Sequence, residues 1–199
     1  MATLREIRKH PVVDLAITVA IAVGIAYLVQ AFIVKPYRVP SGSMEPTIAI
    51  GERIIASRFT MRFSEPSRDQ IIVFHPNGSG PDVYDTDTAS SETFVKRLIG
   101  MPGETIGATG GAVYVCTGDG PGEGAAIEDT PGCRFLDEPF VSSPQDDFGP
   151  VRIPNDRYFM MGDNRADSDD SRNWGPIPKG QMIGTAFMSY WPPSRVAIW

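Results

Sequence analysis

A long apolar run at residues 15–34 constrains this 199-residue chain more than any other feature. Only four of its twenty residues are not strongly apolar: Thr18, Gly24, Tyr27 and Gln30. At about 1.5 Å of rise per residue, a helix of this length crosses the roughly 30 Å hydrocarbon core of a bilayer. The run therefore predicts one transmembrane helix over 15–34, between a short N-terminal segment, 1–14, and one larger domain, 35–199.

The residues that flank the run indicate its orientation. Arg5, Arg8 and Lys9 outnumber Glu6 before it, so the positive-inside rule places the N-terminus in the cytoplasm and the domain 35–199 outside. A cleaved secretory signal is the alternative, because basic residues also precede the apolar region of such signals. The run is longer than that region usually is, and the following Lys-Pro-Tyr-Arg sequence lacks the small residues of a cleavage site.

The composition excludes two classes of function. The whole chain carries a net charge of −6 although its first ten residues are basic, so the larger domain is acidic and offers no basic face for nucleic acid. Only two histidines and two cysteines are present, without CxxC-type spacing, so the sequence gives no basis for a metal site. No cofactor is expected.

Short apolar segments separated by turn-rich loops follow the run, and helical periodicity is nearly absent among them. The strand candidates are 54–56, 70–74, 93–99, 112–116, 157–161 and 182–191. The first two flank a polar connection, which predicts that they are neighbouring strands. Two segments rich in Gly, Pro, Asp and Ser, 76–92 and 117–150, are expected to be surface loops, the second long enough to be partly disordered. The domain should be mainly β.

Cys116 and Cys133 are the two cysteines of the chain. Both follow the apolar run and flank a Gly/Pro/Asp-rich loop, as expected of a disulfide in an oxidising compartment. Two free thiols remain the alternative.

A stiff turn at residues 40–47, Pro-Ser-Gly-Ser-Met-Glu-Pro-Thr, follows the apolar run closely. Its two prolines and its glycine exclude a regular helix or a central strand, so the turn is suited to display the hydroxyls of Ser41 and Ser43. The alternative is an ordinary loop in which both hydroxyls bond to nearby backbone groups.

A nucleophilic serine needs a proton acceptor, most often histidine. His10 lies on the cytoplasmic side of the predicted helix, and His75 ends a predicted strand, where an ordinary half-exposed histidine is expected. Of the four lysines, only Lys96 lies within an apolar, strand-like segment. Desolvation there would lower its pKa from the ordinary value of about 10.4 and supply a neutral amine.

Three motifs in this order resemble those of the type I signal peptidases, the membrane-bound Ser/Lys leader peptidases. They are the turn 40–47, the segment 93–103 around Lys96, and the C-terminal segment 161–175 with its sequences Met-Gly-Asp-Asn-Arg and Ser-Asp-Asp-Ser-Arg. The resemblance implies a coiled β-sheet catalytic domain and a serine endopeptidase at the bacterial plasma membrane, with an organelle inner membrane as the alternative. Such an enzyme removes signal peptides from exported preproteins after Ala-x-Ala-type sequences, without a cofactor, and we expect it to act as a monomer in contact with membrane lipid.

The resemblance also assigns roles to individual residues. Ser43 is the implied nucleophile and Lys96 the base, Ser41 joins the Ser43 N–H in an oxyanion hole, and Ser168 orients the lysine. Supporting ion pairs are implied between Arg97 and Asp163 and between Asp170 and Arg172. The residues implied to line the substrate pockets are Val39, Pro40, Met44, Ile48, Phe94 and Val95.

The sequence departs from the family pattern at one place. Ala166 and Asp167 stand where the family usually has an acidic residue followed by asparagine, while the spacing of Ser168, Asp170 and Arg172 is kept. The flanking glycines Gly162 and Gly175 are expected to permit close approach of the backbone.

Two other classes of protein are weighed against the peptidase. A non-catalytic anchored β domain that binds envelope proteins would need neither Ser43 nor Lys96, and both are present. A soluble Ser/Lys autoprotease fused to a DNA-binding module would carry a helix-turn-helix at its N-terminus, where this chain has an apolar run instead.

The predicted orientation can be tested with reporters fused after Trp199. A reporter that works only outside the cytoplasm should be active, because the basic N-terminus holds the start of the helix inside. Activity of a cytoplasmic reporter alone would invert the orientation and return His10 to the list of possible bases.

Overall fold

The computed structural model of the protein describes residues 11–32, 34–76, 93–122 and 125–199. The basic N-terminal residues, His10 and nearly all of the predicted loop 76–92 lie outside the described residues.

The apolar run lies in helix α1, Pro11–Phe32, followed by strand β1, Val34–Arg38. The helix begins and ends earlier than predicted. The earlier end is consistent with Pro36, which lacks an N–H donor and disfavours helical backbone in the residue before it. Within the described residues, no helix combines the length and apolar character needed to cross a membrane. The predicted transmembrane helix is therefore not confirmed.

The domain is mainly β, as predicted, and its strands form two antiparallel sheets. The larger sheet has eight strands in the order β1-β2-β11-β3-β4-β9-β10, with β12 paired to β11. Its members after β1 are β2 Arg53–Ser57, β3 Ile71–Phe74, β4 Phe94–Gly100, β9 Arg157–Met161, β10 Ile177–Pro178, β11 Met182–Trp191 and β12 Ala197–Ile198.

Strands β2 and β3 are not neighbours, contrary to the prediction, because β11 lies between them and pairs with both. Helix α2, Arg58–Phe63, lengthens the connection enough to pass from one side of β11 to the other. Gly184 permits the close approach of β11, since a Cβ atom there would overlap the Ser57 carbonyl.

The smaller sheet has the order β7-β6-β5-β8. Its strands are β5 Glu104–Thr109, β6 Ala112–Thr117, β7 Cys133–Phe135 and β8 Phe148–Arg152. Gly110 and Gly111, at φ of 61° and 80°, form the two-residue turn between β5 and β6, a conformation that favours glycine. The sequence analysis did not predict most of this sheet. Strand β7 and the start of β8 lie within the segment 117–150, which was predicted to be a loop.

Three apolar clusters surround β4, which is why both of its faces are buried. Ile99 packs into the cluster that joins the two sheets, and Leu98 packs into a cluster on the other face. Val95 packs against a third cluster, beneath the turn 40–47. Because both faces are covered, Lys96 and Arg97 are both buried, although the alternation of the strand places their side chains on opposite faces.

A disulfide joins Cys116 of β6 to Cys133 of β7, which are paired residues in the smaller sheet. Replacing both cysteines with serine should lower the free energy of unfolding by about 3 kcal/mol at most, because the bridge closes a short loop. Denaturant unfolding with and without reductant measures this. Reductant should not alter the unfolding of the double variant. Two free thiols in protein isolated from its native source would contradict the prediction.

Candidate active site

The turn 40–47 packs tightly and presents the two predicted serines. The Glu45 amide donates to the Gly42 carbonyl at 3.0 Å, and the Ile48 amide donates to the Met44 carbonyl at 2.9 Å. Ser43 is buried, whereas Ser41 is exposed, and their hydroxyl oxygens lie 3.4 Å apart. The turn therefore holds both hydroxyls at one point of the surface.

The segment after β9 fixes this turn from the other side. The backbone amide of Asn164 donates to the Ser43 carbonyl at 3.1 Å, and its side-chain amide donates to the Gly42 carbonyl at 3.2 Å. Thr47 adds a hydrogen bond from its hydroxyl to Asp163 at 2.5 Å. The role of Asn164 was missed, although its place directly after Asp163 in the C-terminal motif was a usable signal.

Arg97 and Asp163, the first predicted pair, form a buried two-pronged ion pair. Nε and Nη2 of Arg97 donate to the two carboxylate oxygens at 2.8 and 2.6 Å. Nη1 donates to the Asp69 carbonyl at 2.8 Å. The two side chains are 8% and 0% exposed, so the pair links β4 to the turn in a site closed to solvent.

Lys96 is 3% exposed and lines the same cleft as Ser41 and Ser43. Its Nζ lies 5.9 Å from the centre of the Phe94 ring. Burial lowers the pKa of Lys96 to about 8, although the nearby carboxylates of Asp170 and Asp169 act to raise it. About a tenth of the lysine is therefore a neutral amine at pH 7, and this form can accept a proton from a serine hydroxyl.

Ser168 lies beside Gly162, on the same side as the Ser43 carbonyl. A Cβ atom at Gly162 would overlap both the Ser168 side chain and the Ser43 carbonyl, so only glycine allows the two serines to come this close. The Ser168 hydroxyl is buried and has no hydrogen-bond partner among the described residues. Gly175 differs, because the space around it is open. It follows helix α3, Ser171–Trp174, and its φ of 81° is what favours glycine there.

Asp170 and Arg172, the second predicted pair, support this arrangement. Arg172 donates to both carboxylate oxygens of Asp170 at 2.8 and 2.9 Å, and to the Arg165 carbonyl at 2.8 Å. The Asp170 carboxylate also accepts from the Gly162 amide at 3.0 Å. The pair thus fixes the backbone of Gly162, which lies next to both Ser168 and Ser43.

Ser41, Ser43 and Lys96 border a cleft of about 730 Å³. Of the predicted pocket residues, the structure places Val39, Pro40, Met44, Phe94 and Val95 along it. Ile48 is not among the residues that line the cleft, because it is fully buried in the apolar cluster beneath the turn. Residues that line the cleft but were not predicted as pocket residues are Tyr37, Arg38, Gly42, Thr93, Asp167 and Asp169. Within the described ranges, no group of three or more His, Cys, Asp or Glu residues is placed to hold a metal ion.

Residues 12–191 match the family described as signal peptidase, peptidase S26. The chain belongs to this family. The signal peptidase I of Leptolyngbya laminosa is 34% identical over 180 residues, which cover 90% of this chain and 79% of that protein. The signal peptidase I of Bacillus amyloliquefaciens is 34% identical over 201 residues, covering 95% and 93%. A crystal structure of a signal peptidase I from Enterococcus faecalis aligns with a TM-score of 0.41 and 26% identity, over 61% of this chain and 97% of that one.

Membership of the signal peptidase family makes the protein a serine peptidase, a hydrolase. The match covers α1, the turn 40–47, β4 and the C-terminal segment, so it includes all three motifs on which the resemblance rested. The alternative of a non-catalytic β domain is not favoured.

Gly162→Ala tests whether the close approach of Ser43 and Ser168 matters. The added methyl group must displace the Ser43 backbone or the Ser168 side chain, so we expect the variant to lose about 1–3 kcal/mol of stability and most of its peptidase activity. Gly180→Ala is the matched control, because a Cβ atom there meets open space. Thermal unfolding and peptide cleavage measure both variants, and equal behaviour of the two would contradict the prediction.

Proposed function

We propose that the protein is a membrane-anchored endopeptidase that removes signal peptides from exported preproteins, with Ser43 as nucleophile and Lys96 as general base. The observation that carries the proposal is a buried lysine of lowered pKa in the cleft that also holds the serine turn. The names of the relatives support the choice of signal peptides as substrates.

The reaction follows from the chemistry of these groups. Ser43 Oγ attacks the carbonyl carbon of the scissile peptide bond while neutral Lys96 accepts the hydroxyl proton. The developing oxyanion is stabilised by the Ser43 N–H and the Ser41 hydroxyl, which already lies beside the attacking oxygen. Lys96 then passes its proton to the leaving amine, and a water molecule hydrolyses the ester-linked acyl-enzyme with the lysine again as base. Ser168, beside Gly162, is proposed to orient the lysine.

The walls of the cleft favour substrates with small residues before the cleaved bond. Val39, Met44 and Val95 supply apolar surface in the cleft near Ser43. Ala-x-Ala-type sequences fit such shallow apolar surfaces. No cofactor takes part in the proposed reaction.

Membrane attachment is part of the proposal and is supported by the sequence of α1. The described apolar side chains along this helix are exposed, from Val12 at 74% to Tyr27 at 72%, so a lipid environment would cover surface that the protein leaves open. With the N-terminus in the cytoplasm, the domain after Lys35 lies outside, where signal peptides emerge from a bacterial plasma membrane. The chain is proposed to act as a monomer.

Substitutions at Lys96 test the assignment of the base. Lys96→Ala and Lys96→Arg should both abolish cleavage of a preprotein, as should Ser43→Ala, because a guanidinium group stays charged at any usable pH. His75→Ala should retain nearly full activity. An inactive but folded His75→Ala, together with an active Lys96→Ala, would replace the Ser/Lys assignment with a Ser/His one.

The pH dependence of cleavage tests the same base in the unmodified enzyme. Because burial lowers the pKa of Lys96 to about 8, the amine is neutral above that pH and protonated below it. The kcat/KM value should therefore fall about tenfold per unit as pH drops below about 8. A profile that stayed flat down to pH ~6 would point to a different base.

A further inference from the structure

The connection between β7 and β8, residues 136–147, contributes to a buried ion pair that the sequence analysis did not predict. Nη1 and Nη2 of Arg165, in the C-terminal segment, donate to the two carboxylate oxygens of Glu138 at 2.9 and 2.5 Å. Nη1 also donates to the side-chain oxygen of Gln145 at 2.9 Å. The Arg165 and Glu138 side chains are 1% and 9% exposed, so the pair lies almost wholly out of solvent.

Arg165 carries this contact to the backbone between the two serines of the site. Its Nε donates to the Gly162 carbonyl at 3.0 Å, and its own carbonyl accepts from Arg172 at 2.8 Å. Gly162 is the residue against which both the Ser43 carbonyl and the Ser168 side chain lie. The guanidinium of Arg165 therefore holds the backbone on which the spacing of the two serines depends.

The same connection also contacts Arg97, the other buried arginine of the site. The Arg97 guanidinium lies over the Phe140 ring, with Cζ 3.9 Å from the ring centre. Phe140 and Leu136 pack in the apolar cluster that joins the two sheets. The connection is therefore packed between the smaller sheet and the active site, although the sequence predicted a surface loop here.

We propose that Glu138 is a positioning residue, which acts through Arg165 to hold Ser43 and Ser168 in their reactive arrangement. This inference rests on the proposed function. A guanidinium keeps its charge when it is buried, so Arg165 without Glu138 would be a buried charge with no carboxylate to match it. Arg165 would then shift and release the Gly162 carbonyl, and a small displacement of reacting groups slows the chemical step.

Substitutions at Glu138 test the proposal, with cleavage of a preprotein by the full-length enzyme as the assay. Glu138→Gln keeps the size of the side chain and removes its charge, so kcat should fall about tenfold to hundredfold. KM should change little, because the described residues that line the cleft do not include Glu138. Glu138→Asp keeps the charge on a shorter side chain, so its kcat should fall only about twofold to fivefold.

The pH profile provides a readout that separates positioning from a direct effect on the base. The charges that act on the pKa of Lys96 are those of Asp170, Asp169, Arg172 and Asp163, and Glu138 is not among them. The acid limb of the Glu138→Gln profile should therefore keep its position on the pH axis while the rate falls at every pH.

Glu104→Gln is the matched control for a general loss of stability. Glu104 also forms an ion pair, with Arg68, in which each side chain is 16% exposed, and it accepts from the Met101 amide. Neither partner lines the cleft among the described residues. Glu104→Gln should lower the thermal midpoint, as Glu138→Gln should, and should keep the kcat of the unmodified enzyme.

The outcomes separate this inference from the proposed function. If the unmodified enzyme cleaves the preprotein and a folded Glu138→Gln keeps its kcat, the inference is wrong and the proposed function stands. Equal losses of kcat in Glu138→Gln and Glu104→Gln, or a shifted acid limb in Glu138→Gln, would also overturn the inference. If Glu138→Gln does not fold, an unchanged kcat in Glu138→Asp overturns it instead. If the unmodified enzyme does not cleave the preprotein, the proposed function fails and the inference fails with it.

Discussion

The buried ion pair between Arg97 and Asp163 is the interaction on which the rest of the site depends. Removing a charge from water is costly, and a buried pair persists only when hydrogen bonds satisfy both partners. Here the guanidinium donates to both carboxylate oxygens and to a backbone carbonyl, and Thr47 donates to the same carboxylate. One pair thereby fixes β4, the serine turn and the segment after β9 relative to one another. Loss of either partner would leave the other charge buried without a counter-charge. It would therefore disturb all three of these segments.

Lys96 and Arg97 are adjacent on β4 and both are buried, but burial has different consequences for the charge of the two side chains. Arg97 stays charged because a guanidinium cannot be deprotonated at usable pH, so the protein supplies a matching carboxylate. Among the described residues Lys96 has no such ion pair, and burial instead lowers its pKa to about 8. The carboxylates of Asp169 and Asp170 limit this fall, since each stabilises the charged form. The pKa of the lysine is thus set by two opposing effects. Burial in its apolar strand lowers the pKa, and the carboxylates of the acidic segment that holds Ser168 raise it.

Much of the fold could be predicted, and the failures have identifiable causes. Strands 157–161 and 182–191 were predicted with the observed bounds, because each is mostly apolar and has turn residues on both sides. Strands β5, β7 and β8 were missed, since their glycines, prolines and charged residues hide the alternation that marks a strand. The pairing of β11 between β2 and β3 was also missed, because partners so far apart in sequence leave no local pattern.

The sequence by itself determined the chemistry of this protein: a displayed serine on a stiff turn, a lysine in an apolar strand and the motif that accompanies them. These features are local, since proline, glycine and apolar neighbours act on the residues beside them. Only the tertiary structure decided which side chains meet in the cleft. Ile48 lies in the core rather than in the cleft, Asn164 holds the serine turn, and Tyr37 lines the cleft. Such placements depend on strands that are distant in sequence and are fixed by packing across the whole sheet.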